Sequence, residues 1–92
     1  MKVAIKTKTF VNKKNVLHQA LYKLTEPIDG YSEVVVSAVH KPKLGIHETF
    51  IFPYENGDAF MEALSGSTQG IFNHEEVLSS LGYEVIEERE VQ

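Results

Sequence analysis

The order of apolar segments predicts a single α+β domain built β-α-β-β-α-α-β, and three observations carry that expectation. Period-two alternation marks the first segment as a strand, and runs of valine and aromatic residues around a turn sequence mark a central pair of segments as strands. Helical spacing of leucines and a well-formed capping sequence mark two other segments as helices. Ninety-two residues, with 42% hydrophobic and 24% charged side chains, suffice for one core and no second one, so residues 1–92 read as one domain.

Residues 2–11 alternate, with Val3, Ile5, Thr7 and Thr9 on one side and Lys2, Ala4, Lys6 and Lys8 on the other, the pattern of a half-buried strand with a lysine face. A helix is expected from a cap at Asn12 or Asn15 to Leu24. Val16, Leu17, Ala20, Leu21 and Leu24 then share one apolar sector, and His18 and Tyr22, four apart, form an exposed pair opposite. Pro27 cannot continue such a helix, and Asp29-Gly30 suits a turn.

Residues 31–40 read as a strand centred on Val34, Val35, Val36, Ala38 and Val39. Residues 41–45 form a hairpin loop, and 47–54 return through Phe50, Ile51 and Phe52 until Pro53 closes the strand. Asn56-Gly57 turns the chain, and Asp58 is placed to cap a short helix over 59–64 that buries Phe60 and Leu64. Residues 65–70 read as a flexible linker. Asn73 and Glu76 then have the spacing of a capping box, and Phe72 and Val77 that of a hydrophobic staple. Gly82 sits where a left-handed residue ends a helix, with Leu78 and Tyr83 spaced for the accompanying apolar contact. A strand over 83–91 fades into glutamates.

This order is that of the ferredoxin-like split βαβ arrangement: a four-stranded antiparallel-type sheet, order 4-1-3-2, with the helices on one face. The last strand then lies beside the first. Five lysines in the first fourteen residues (Lys2, Lys6, Lys8, Lys13, Lys14) meet four glutamates in the last nine (Glu84, Glu87, Glu88, Glu90).

With these charges compensated and a net charge of −4, no basic stripe is left for a phosphate backbone, so nucleic acid is not an expected partner. The absence of cysteine excludes disulfides, thiolate nucleophiles and cysteine-ligated metal or haem, and it suits a reducing cytoplasm. Residues 1–10 do not have the form of a signal peptide, and no apolar run approaches a membrane span, so no membrane partner is expected. Eight lysines against one arginine fit an AT-rich genome, bacterial or phage.

The central hairpin breaks the expected pattern of one apolar face. With His40 set opposite His47, Val34, Val36, Ala38 and Ile51 lie on one side and Val35, Val39, Phe50 and Phe52 on the other. Only one side can meet the helices. The interface candidates are therefore Val34, Val36, Ala38, Ile51, Phe50 and Phe52, joined by the pair His18 and Tyr22. They point to a non-enzymatic protein-interaction module, a small regulator or inhibitor of phage or mobile-element type. It would act on a protein partner or on a second copy of itself, most simply as a homodimer.

Other chemistries have weaker support. His40 and His47 as cross-strand neighbours supply two imidazoles, but no third metal ligand is suitably spaced, so a solvated hairpin mouth is the favoured reading. Gly66, Ser67 and Thr68 can offer backbone amides to an anion, which makes a nucleotide or metabolite sensor an alternative. That loop lacks the lysine and the preceding strand of a phosphate loop. His74, at the start of a helix, is expected in solvent. No catalytic residue and no cofactor emerge.

The stretch 48–64, with its aromatic strand, turn, Asp58 cap and Ala59-Phe60 opening a helix, resembles the dimeric α+β barrel superfamily, which includes antibiotic-biosynthesis monooxygenase-like proteins. The resemblance implies two sheets packed face to face across a dimer, with a small apolar molecule bound or oxidised beneath. Where those proteins often carry a histidine one turn after the phenylalanine, this chain has Ala63. It also lacks the tryptophan of the haem-degrading version. The resemblance therefore speaks for the dimer more than for the enzyme.

Overall fold

The structure, a computed structural model, describes residues 2–10, 17–59, 62–70 and 73–87. Among them, seven strands form one mixed sheet that carries one short helix. The strands are β1 Lys2–Phe10, β2 Leu17–Ile28, β3 Tyr31–Lys41, β4 Ile46–Glu55, β5 Asp58–Ala59, β6 Thr68–Gln69 and β7 Tyr83–Glu87. The helix is α1, His74–Ser80, and a 3-10 turn, Pro42–Leu44, forms the tip of the β3–β4 hairpin. Strand order is β5-β4-β3-β2-β1-β7, with β6 paired to β4. The four-stranded ferredoxin-like α+β arrangement is thus replaced by a mostly β fold. Its first four strands run as an antiparallel meander, and β7 returns parallel to β1.

Two corrections produce this change. The first is β2, where helical spacing predicted a helix to Leu24; its caps Asn12 and Asn15 and its first apolar residue Val16 lie outside the described residues. Ala20, Leu21 and Tyr22 are consecutive and all buried, because β2 is central and covered on both faces. An apolar run of that kind satisfies a 3.6-residue period as well as a continuous buried strand. Hydrogen-bonded pairing with β1 on one side and β3 on the other overrides the mild helix preference of leucine and alanine. The second correction falls at 58–64. Asp58 opens the two-residue strand β5 rather than capping a helix, residues 62–64 are irregular, and Phe60 lies outside the described residues.

Both corrections pass through an X-Gly turn. Asp29 and Gly30 have φ of 49° and 88°, and Ile28 pairs with Tyr31 across them. Asn56 and Gly57 have φ of 56° and 86°, and Glu55 pairs with Asp58. Two consecutive left-handed residues closing a two-residue loop make the type I′ hairpin, whose twist matches that of the flanking strands. The Asp29 carboxylate also accepts from Ser65 N (2.9 Å) and Ser65 Oγ (3.1 Å), tying the first turn to the segment that precedes β6.

The other elements follow the sequence reading more closely. β3 and β4 pair in the register that sets His40 against His47, and Pro53 continues the strand opposite Val34 rather than closing it. Asn73 caps α1, its Oδ1 accepting from Glu75 N at 2.8 Å and Glu76 N at 3.4 Å. Gly82 follows with φ of 91° and donates to Ser79 O. The staple residue Phe72 lies outside the described residues. β7 does lie beside β1, but parallel to it, and Lys6 Nζ stands 3.8 Å from the Glu87 carboxylate. Glu88 and Glu90 lie outside the described residues.

The core sits between α1 and the sheet. Ala4, Ala20, Tyr22, Leu24, Val34, Val36 and Ile51 face Val77 and Leu78 of the helix, with Leu64 and Tyr83 completing the cluster. Full burial of each large side chain stabilises the fold by about 1.5–3 kcal/mol. Among the described residues, no helix is long and apolar enough to cross a membrane.

Candidate functional site

Strand alternation and the observed register divide the sheet into a helix face and a helix-free face. Val34, Val36, Ala38 and Ile51, four of the interface candidates, lie on the helix face and are fully buried in the chain's own core. Phe50 and Phe52 project from β4 on the other face. Both are half-buried, and their rings stack at 5.8 Å with 22° between planes. The pairing places Phe52 against Val35, Val35 against Leu21 and Phe50 against Ser37. Val35, at 4% exposure, is already covered, whereas Val39 beside it is half-buried. Lys8 and Phe10 from β1, Tyr54 from β4 and Asp58 and Ala59 from β5 border one open depression of about 320 Å³ that also touches Val35. A single hollow reached from β1 and from β5 requires the sheet to curl around this face.

The remaining pair of interface candidates separates. His18 and Tyr22 were expected side by side on a helix surface, but they are alternate-face-matched residues of β2, both on the helix face. His18 is exposed, and Tyr22 is 1% exposed. His74, expected in solvent, is the group that joins them. Its Nε2 lies 2.8 Å from His18 O and its Nδ1 lies 3.2 Å from the Tyr22 hydroxyl, the two rings meeting edge-on at 5.9 Å. A carbonyl oxygen can only accept, so Nε2 carries the proton, Nδ1 is the acceptor, and Tyr22 donates to it.

Burial holds the His74 imidazole below its ordinary range. The His18 carbonyl opposes that shift, and Lys6 and His18 reinforce it. Burial, followed by Glu87 and Glu75, pushes the Tyr22 hydroxyl well above the usual tyrosine range. Around these groups lies an open groove of about 450 Å³, lined among others by Lys6, Gln19, Asn73 and Glu75. Both imidazole nitrogens are engaged, so the pair clamps helix to sheet and leaves no free base facing the groove.

The loop candidates are engaged in holding the sheet edge. Ser67 Oγ accepts from Ile51 N at 3.0 Å and donates to Leu64 O at 2.9 Å. Ser67 N donates to Leu64 O, Leu64 N to Ile51 O and Gly70 N to His47 O, and Thr68 belongs to β6. A side chain at Gly66 would collide with Leu81, whose Cδ1 lies 2.6 Å from the position of a Cβ. The amides of Leu64 and Gly70 face β4, and that of Ser67 faces Leu64. His40 is matched to His47 by register, and the position of its side chain lies outside the description. Among the described residues no group of three histidines or carboxylates is gathered to hold a metal ion.

Compared with protein-family models, with curated proteins and with solved structures, the chain matches none. The face-to-face barrel implied by the resemblance at 48–64 depends on the ferredoxin-like arrangement. The strand at Asp58–Ala59 and the meander β1–β4 remove that basis.

Proposed function

We propose that this chain is a protein-interaction module without chemistry of its own, and that it docks a second copy of itself on the helix-free face of the sheet. The observation that carries this reading is the stacked Phe50–Phe52 pair, incompletely buried on the face that α1 does not cover. Aromatic side chains at partial exposure on a continuous apolar surface are favoured at protein interfaces.

The charge layout supports self-association. On this face Lys8 and Lys23 stand on β1 and β2, and Glu33 and Glu48 stand on β3 and β4, with Lys41 at the hairpin end of β3 offsetting part of the acidic charge. A two-fold axis running along the strands lays the lysine half of one copy over the acidic half of the other. An axis across the strands would oppose like charges instead. A module of this kind acts as a small regulator or inhibitor, and a cysteine-free chain suits the reducing cytoplasm.

Sedimentation velocity across the micromolar range tests the proposal. A reversible dimer that weakens with added salt is expected, and Phe50→Ser combined with Phe52→Ser abolishes it while the circular dichroism spectrum is kept. A wild-type chain that stays strictly monomeric at high micromolar concentration overturns it.

A further inference from the structure

We propose that His74 is an acid-sensitive latch: in its neutral form it fastens the start of α1 to β2, and protonation releases that end of the helix from the sheet. The argument begins with connectivity. α1 is the only helix among the described residues, and it covers the face where Val34, Val36 and Ile51 are buried. Apolar contacts of Val77 and Leu78 hold its middle. At its first residue the helix is held by the two imidazole hydrogen bonds, one to the His18 carbonyl and one from the Tyr22 hydroxyl.

The geometry makes this fastening specific to one protonation state. Only the Nε2–H tautomer of neutral imidazole donates to His18 O while accepting from Tyr22. Adding a proton at Nδ1 turns the acceptor into a second donor. The Tyr22 hydroxyl, buried and already disinclined to ionise, then faces a donor with its own donor. The titratable groups around the ring come from every neighbouring element: His18 and Tyr22 from β2, Lys6 from β1, Glu87 from β7, and Glu75 from α1 itself. Lys6 opposes a cation on the ring, and Glu87 on β7 stands 3.8 Å from the Lys6 ammonium.

The sign follows from linkage. The docked imidazole binds a proton less readily than a free one, so the latch is at full strength above the ordinary histidine pKa of about 6.5. As pH falls below that value and through the docked value, the released form takes up the proton first and the latch weakens.

Amide hydrogen exchange, corrected for intrinsic rates, reads the effect between about pH 7.5 and about pH 5. The amides of α1 are expected to lose protection several-fold more than those of β3 over this interval. His74→Gln keeps a neutral donor and acceptor at both pH values, so in that variant the difference between α1 and β3 disappears. Equal loss of protection in α1 and β3, or a His74→Gln variant with the wild-type pH dependence, overturns the proposal. Should the variant fail to fold, the wild-type imidazole titration followed by NMR decides. A His74 midpoint below 6.5 supports the latch, and one at or above 6.5 removes it.

Discussion

The two faces of the sheet are built from the same side chains and end in different states. Along β3, Val34, Val36 and Ala38 disappear beneath α1, whereas Val35 and Val39 point to the face where Phe50 and Phe52 remain incompletely buried. Composition cannot distinguish these faces, since valine and aromatic residues lie on both. What distinguishes them is the crossover. After β6 has paired with the outer edge of β4, the chain passes to β7 at the opposite end of the sheet, and α1 lies on that path. The face it crosses becomes core, and the other is left to whatever the rest of the chain or a partner supplies.

The largest test of this contrast compares two neighbours on β4. Ile51→Ala opens a cavity beneath α1 and is expected to cost about 3 kcal/mol in chemical denaturation. Phe52→Ala, one residue along on the open face, is expected to cost less, about 2 kcal/mol in the monomer, because its ring is only partly buried. Equal losses would mean that the two faces are equally closed.

Alkaline titration probes the helix face alone. The folded state holds the Tyr22 hydroxyl protonated beyond its ordinary range, so its contribution is complete below about pH 10 and declines as pH rises past that point. Tyr22→Phe is expected to flatten this alkaline loss. At neutral pH it is expected to cost about 1 kcal/mol, because His74 Nδ1 loses its donor.

The last effect has the opposite sign. Thr49 on the helix face is fully buried, and its hydroxyl has no hydrogen-bond partner among the described residues. Thr49→Val, which replaces that hydroxyl with a methyl of similar volume, is expected to stabilise the fold by about 1 kcal/mol, read as a raised denaturation midpoint.

Much of the sheet was legible wherever local pattern and final environment agree. β1 and β4 follow the alternation of their side chains, β3 follows its run of β-branched valines, the His40–His47 register follows from the short loop between them, and α1 begins at the Asn73 cap that its sequence announces. β2 was not legible from periodicity, because burial on both faces erased the alternation that identifies a strand. A better signal stood directly after it. Asp29-Gly30 between two apolar runs is the dipeptide of a two-residue hairpin, and Asn56-Gly57 repeats it before β5. Giving those turns more weight than the leucine spacing would have made both flanking segments strands.

The candidate sites divide in the same way. That Phe50 and Phe52 oppose Val34, Val36 and Ile51 follows from counting along the hairpin. The contact between Tyr22 and His74 joins residues 52 positions apart, and no local pattern contains it. It becomes readable only once β2 is known to be a strand and α1 is known to cross it.

Isotope-filtered NMR on a mixture of labelled and unlabelled chains tests the central claim most directly. Intermolecular contacts from the Phe50 and Phe52 rings to Phe10 or Leu21 of another copy are the predicted result. A spectrum in which those rings meet only protons of their own chain, at concentrations well above any useful dimer affinity, would contradict it.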